Sequence, residues 1–226
     1  MQTPLVIDIE TIPNTDVEEM LPEPKPDARL KDQAKIAADI EKKRSEAVGK
    51  MGLDPNFGRI CVIGYASRSE GGPIDTSDSR LAEATDEAEA AILEEFWQRV
   101  KKADRIGSFN GSGFDLPFIL RRSWLLGVRP TRVFEVVPWR CASGEANHID
   151  VRMVLSGGDA KAKGTLDLYG KLKLGRGKTE GMDGSQVWDY WQQGRVDEIC
   201  QYCRDDCATS LELLESLYGF YLPMTE

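Results

Sequence analysis

Residues 5–14 read LVIDIETIPN. Leu5, Val6, Ile7 and Ile9 form a short apolar run of strand-forming residues, so the stretch reads as a β-strand. Asp8 and Glu10 interrupt that run. Strand side chains alternate with period two, which puts both carboxylates on one face. Two like charges side by side on a buried strand cost several kcal/mol unless something offsets them. A divalent cation is one answer: Mg²⁺ and Mn²⁺ take oxygen ligands, and a few carboxylates commonly supply them. A two-metal centre for displacement at phosphorus needs about four acids from different elements, so more inward-facing acids are expected further along.

The chain has 226 residues, ample for a core and consistent with one large domain or two small ones. Hydrophobic residues make up 41% and charged residues 30%, the profile of an ordinary globular protein. No stretch approaches the roughly 20 apolar residues of a membrane span. The N-terminus lacks the basic region of a signal peptide. The odd cysteine count of five points to a reducing compartment, and the expectation is a cytoplasmic protein without membrane contact. The net charge of −9 argues against coating nucleic acid by charge alone. An enzyme that gathers positive charge at one site remains compatible with it.

Beyond the first strand, a Pro-rich turn (LPEPKPDARL) leads into a charged helix expected from about Asp27 to Lys50, with Asp27 as N-cap. Its apolar positions are sparse, so it reads as a surface excursion. Strands are expected at RICVIGYAS, near GPIDTSDS, at RIGSFN and over HIDVRMVLS. Helices are expected over TDEAEAAILEEFWQRVKKA, from Asp115 through LPFILRRSWLLG, over TLDLYGKLK and SQVWDYWQQG, and from Val196 to about Tyr218. Strands dominate early and helices late, which gives an α/β or α+β domain with one mixed sheet.

Two further acids fit the search. Asp115 follows a strand and a glycine-rich turn (NGSGFD) and opens an otherwise apolar helix; by itself it would be an ordinary N-cap. In ICQYCRDDCATSLELLESL, Tyr202 and Asp206 lie four residues apart and stack on one helix face, while Asp205 points about 100° away toward solvent. Cys200, Cys203 and Cys207 share a helical face, but one helix cannot readily wrap a tetrahedral ion with three of its own residues. They are read as small packing groups. Trp188, Tyr190 and Trp191 are likewise read as core.

DIET, NGSGFDLP and YCRDD, in that order and spacing, resemble the three motifs of the DEDD superfamily of 3′–5′ exonucleases, and the tyrosine places the likeness in its DEDDy branch. The chain looks most like the stand-alone predicted exonucleases related to the proofreading domain of family B DNA polymerases. The resemblance implies a ribonuclease H-like exonuclease fold, a mixed five-stranded sheet flanked by helices. It implies a single domain over 1–226 with a helical insertion at about 20–57. Asp8, Glu10, Asp115 and Asp206 would hold two divalent cations, Mg²⁺ or Mn²⁺, and Tyr202 would orient the attacking water. The single histidine, His148, stands far from the third motif, which suits the tyrosine branch. Thr11, Asn110 and Phe114, beside the first two motifs, would touch the terminal nucleotide. For Phe114, core packing is an equal alternative. The segment 161–178 carries six bases against one acid, Asp167. Its Lys171, Lys173 and Lys178 would follow a phosphate backbone, although charge runs are usually solvated faces. Asp150 is expected to cap a turn or support the centre from behind.

The implied function is metal-dependent hydrolysis of DNA or RNA from a free 3′ end, with single strands favoured, releasing nucleoside 5′-monophosphates. The alternatives are a catalytically silent nuclease-like module that binds nucleic acid or a partner, and a ribonuclease H-like endonuclease.

Overall fold

A computed structural model of the chain describes residues 4–69, 71–177 and 182–223. Lys178, one of the expected backbone contacts, lies outside the described residues. Five strands form one mixed sheet: β1 (Leu5–Pro13), β2 (Gly58–Arg68), β3 (Ile74–Arg80), β4 (Ile106–Ser108) and β5 (His148–Asp150), in the order β3-β2-β1-β4-β5. The first three are antiparallel neighbours, whereas β4 runs parallel to both β1 and β5. This is the α/β architecture the sequence implies.

Helix α1 (Gln33–Lys50) buries none of its residues, in keeping with its sparse apolar positions. It starts later than expected. Asp27 is engaged by the backbone N–H and guanidinium of Arg29 in a local turn, and the helix begins where Asp32 accepts the Lys35 N–H. Helix α2 (Asp86–Val100) buries Ile92, Leu93, Phe96, Trp97 and Val100 against the sheet. Helix α3 (Asp115–Leu125) follows β4, and its Arg122 donates to the buried Glu89 of α2 at 2.9 and 2.7 Å. Short helices α4 (Pro138–Cys141), α5 (Val151–Leu155), α6 (Leu166–Tyr169) and α7 (Val187–Gln192) precede the long α8 (Val196–Leu217). Trp188, Tyr190 and Trp191 pack against the main core, as read from the sequence. No described helix is long and apolar enough to cross a membrane.

The stretch HIDVRMVLS is not one strand. Only His148–Asp150 pairs with β4, and the chain then turns into α5. Asp150 causes the switch: its carboxylate accepts the N–H groups of Arg152 and Met153 and so caps the helix. The apolar residues beyond it still face inward, with Val151, Met153 and Val154 buried on one helical turn. TLDLYGKLK is helical from Leu166 on, as expected, though α-helical only to Tyr169. One wide π turn follows (Gly170–Leu174), ended by Gly175 at φ +70°.

Candidate active site

Helix α8 lies across β1, β2 and β3, and the approach is close beneath Asp8. Asp8 pairs across the ladder with Gly64. A Cβ at Gly64 would come within 2.7 Å of the Cys203 Sγ and 2.9 Å of the Cys207 Sγ, so glycine there lets the helix reach the sheet. The adjoining flank of the same helical turns carries Tyr202 and Asp206, which are 5% and 6% exposed. Asp205 points away and accepts a bond from Gln201.

Asp115 arrives from a third direction. The parallel ladder between β1 and β4 pairs Leu5 and Val6 but goes no further. Further along the same side of β1, the Ile9 N–H is bonded to the Asp115 Oδ1 at 3.0 Å. The first residue of α3 is thereby fastened to β1 midway between Asp8 and Glu10. Burial, with the Asp150 and Asp206 carboxylates nearby, pushes Asp115 up to about 7, against the lowering effect of the Ile9 bond. Burial first, then Asp115, Cys207, Glu10 and Asp206, pushes Asp8 well above the usual carboxylate range. Carboxylates from β1, α3 and α8 therefore repel one another at close quarters. That donor set fits a hard divalent cation, which would reverse the repulsion.

The open side of this centre is a cleft of about 300 Å³ lined by Asp8, Phe109, Asn110, Arg152, Gly164, Thr165, Leu166 and Asp206. Asn110 occupies the left-handed region at φ +67°, unusual for a residue other than glycine. Two neighbours hold it there. Asp150 accepts its N–H at 2.9 Å, and Arg152 donates to its side-chain oxygen. Asp150 also accepts the Ser112 N–H and hydroxyl at 3.0 and 2.6 Å. This buried carboxylate thus ties the 109–113 turn to the start of α5 and brings Arg152 to the cleft. It does more than cap a turn.

The structure sorts the remaining expectations. Asp8, Glu10, Asp115 and Asp206 are brought together, and Tyr202 is buried one helical turn before Asp206. Asn110 lines the cleft. Phe114 packs against the core, 5.5 Å from Phe118, and Phe109 takes the position facing the cleft. The Thr11 hydroxyl donates to the Gly52 carbonyl at 2.5 Å. Lys171 is paired with Asp167 at 2.7 Å, Arg176 with Glu212 at 2.7 Å, and Lys173 lies over the Phe220 ring. The basic segment is therefore partly neutralised, by its own Asp167 and by Glu212 of α8. Sequence reading did not single out Arg152; the signal available was its place two residues after an acid ending a strand. His148 is buried between Ser108 and the Glu135 carbonyl, each 2.8 Å away.

Known proteins match this chain in sequence and in shape. A family described as predicted 3′–5′ exonucleases related to the exonuclease domain of PolB matches residues 53–213, a span that holds Asp115, Tyr202 and Asp206. Asp8 and Glu10 precede the matched span. DNA polymerase 2 of Aeropyrum pernix is 28% identical over 181 residues, covering 74% of this chain and 21% of the polymerase. The chain thus spans about a fifth of the length of that relative. The family B DNA polymerase of the hyperthermophilic archaeon Pyrobaculum calidifontis has a solved structure that superposes with a TM-score of 0.58 at 17% identity, over 94% of this chain and 24% of that one. The shared architecture is the ribonuclease H-like exonuclease fold.

Proposed function

The chain belongs to the family of predicted 3′–5′ exonucleases related to the exonuclease domain of PolB, and from that premise we propose that it hydrolyses DNA or RNA from a free, single-stranded 3′ end, releasing nucleoside 5′-monophosphates. The observation that carries this reading is the convergence of Asp8, Glu10, Asp115 and Asp206 from three elements on one side of the sheet, beside an open cleft. Phosphodiester hydrolysis needs positioning and charge neutralisation more than covalent chemistry. These four carboxylates would hold two Mg²⁺ or Mn²⁺ ions, which when bound supply an activated water and neutralise charge at the leaving oxygen.

The chain's own residues have distinct tasks. Tyr202, buried four residues before Asp206, orients the attacking water through its hydroxyl. Arg152 presents a fixed guanidinium to a phosphate, the geometry in which arginine binds phosphate best. Phe109 offers a ring on which the terminal base stacks, worth ~1–3 kcal/mol. Asn110, fixed by Asp150 and Arg152, gives that nucleotide a polar contact. Lys173 and Lys171, the latter at reduced strength because of its pairing with Asp167, border the upstream strand. The whole chain acts as one exonuclease unit, with α1 an appended insertion.

End-labelled DNA and RNA oligonucleotides incubated with Mn²⁺ or Mg²⁺ test this. A ladder growing from the 3′ end is expected, absent in Asp8→Ala and Asp206→Ala. Both variants should fold, and in EDTA they should be at least as stable as the wild type, because one repelling charge is gone. Internal cuts would mean an endonuclease. No cleavage with intact binding would mean a silent module.

A further inference from the structure

Hydrolysis by carboxylate-held ions has no use for a thiol, yet a thiol lies against these carboxylates. Cys203 is fully buried, with its Sγ 3.7 Å from the Asp8 Oδ2 and 3.6 Å from the Asp8 carbonyl oxygen. One oxygen of Asp8, one of Glu10 and the Cys203 Sγ all lie within 4.8 Å of one another. The position is fixed by the backbone. Gly64 sits so close that even a methyl group there would collide with the sulfur. Plain packing accounts for Cys200 and Cys61, which are buried without being part of this trio. The Cys203 thiol donates to Asp8, and that bond keeps its sulfur beside the two acids, within reach of an ion they hold.

We infer that Cys203 adds a soft donor to this centre, so that Asp8, Glu10 and Cys203 together bind a thiophilic divalent ion of the Zn²⁺ class in competition with Mg²⁺ or Mn²⁺. The inference rests on the carboxylate centre of the proposed function and deepens it by assigning a second class of ion. Zn²⁺ binds thiolate sulfur at about 2.3 Å and carboxylate oxygen at about 2.0–2.2 Å. In a tetrahedral shell those lengths put sulfur and oxygen about 3.6 Å apart, and the sulfur here is 3.7 Å from the Asp8 oxygen. Hard ions gain nothing from sulfur, whereas Zn²⁺ and Cd²⁺ select it. On binding, the Cys203 S–H bond breaks, its proton passes to solvent, and the sulfur electron pair forms the metal–sulfur bond; nothing is oxidised or reduced. The consequence is a centre that Zn²⁺ occupies at the expense of the hard ions, and hydrolysis that Zn²⁺ inhibits.

The test uses Cd²⁺ and Zn²⁺ alone, on the full chain, without substrate. Cd²⁺ should produce the ultraviolet cadmium–thiolate charge-transfer band in the wild type and in Cys207→Ser, but not in Cys203→Ser. Zn²⁺ affinity, measured against a chelating dye, should fall ~10-fold or more in Cys203→Ser, while Mn²⁺ affinity by electron paramagnetic resonance stays within twofold. No band in the wild type, or a band that survives in Cys203→Ser, overturns the inference. If that variant does not fold, X-ray absorption of the Zn²⁺-loaded wild type decides: sulfur at about 2.3 Å supports the inference, and a shell of light atoms alone overturns it. None of these measurements needs hydrolysis. A missing 3′ ladder with the band present would overturn the exonuclease reading only, and a ladder without the band would overturn this inference only.

Discussion

At the scale of single residues, the tyrosine is the sharpest point. Tyr202→Phe removes one hydroxyl and keeps the ring, which is buried. The four carboxylates are untouched, so ion and substrate binding should hold. On the proposed mechanism, what goes is a bond to the attacking water that matters in the transition state, so kcat should fall and KM should not rise. A positioned proton-transfer or orienting group is typically worth ~10²–10⁴ in rate. With ions already activating the water, a loss of ~10–100-fold is expected, read from single-turnover rates at saturating Mn²⁺. Equal rates for the two proteins would take Tyr202 out of the mechanism. Asp8, Glu10, Tyr202 and Asp206 were legible because strand and helix periods alone put each pair on one face. The bond from Ile9 to Asp115 was not, because it depends on how far the β4 pairing runs along β1. The thiol of Cys203 was taken as packing for a similar reason. Its distance to Asp8 is set by a glycine on another strand.

At the scale of elements, the junction of β5 and α5 decides how the cleft is built. The run HIDVRMVLS has the β-branched and apolar content of a strand, and its length suggested one. Asp150 overrides that content by accepting two N–H groups of the next turn. Arg152 is at the cleft only because the chain turns there, which explains why sequence reading passed over it. Helix α2 and α8, by contrast, are legible almost to their ends, because both carry long amphipathic patterns and α2 also has acids in its first turn and a base in its last. The junction yields a prediction. Asp150→Asn keeps one acceptor oxygen but turns an NH₂ group toward the N–H donors of the 110–112 turn or of α5. Leaving buried donors unpaired costs about 1–3 kcal/mol each. A stability loss of that order in chemical denaturation is expected. It should come with reduced hydrolysis and little change in Mn²⁺ affinity, since Asp150 stands behind the turn and not among the four acids. Asp150→Ala should be worse on both counts. A variant with normal stability and normal turnover would show that the turn holds itself.

At the scale of the whole molecule, the crowded acids link stability to pH and to ions. In the folded chain Asp115 is raised from 3.8 to about 7, so between those values the folded state holds a proton that the unfolded chain has released. Stability therefore falls as pH rises through that window and levels off above it. At about 1.4 kcal/mol per unit, the loss is on the order of 4 kcal/mol, and the raised Asp8 acts in the same direction. His148 acts oppositely: burial lowers it, so its contribution is lost as pH falls below its ordinary range. The surface acids lowered by arginine or lysine partners, Asp27, Asp39 and Glu198, matter only in stronger acid. A difference between two proteins removes these common effects. Asp115→Asn keeps an oxygen for the Ile9 N–H and cannot ionise. In EDTA, its stability relative to the wild type should therefore improve between pH 5 and pH 8, by up to those few kcal/mol. Mn²⁺ added at pH 8 should then raise the wild-type unfolding midpoint more than that of Asp115→Asn, because a bound cation turns the repulsion among four carboxylates into attraction. A relative stability that is the same at both pH values would mean that Asp115 is not held among buried charges. A midpoint that ignores Mn²⁺ would mean that the four acids do not form one ion site.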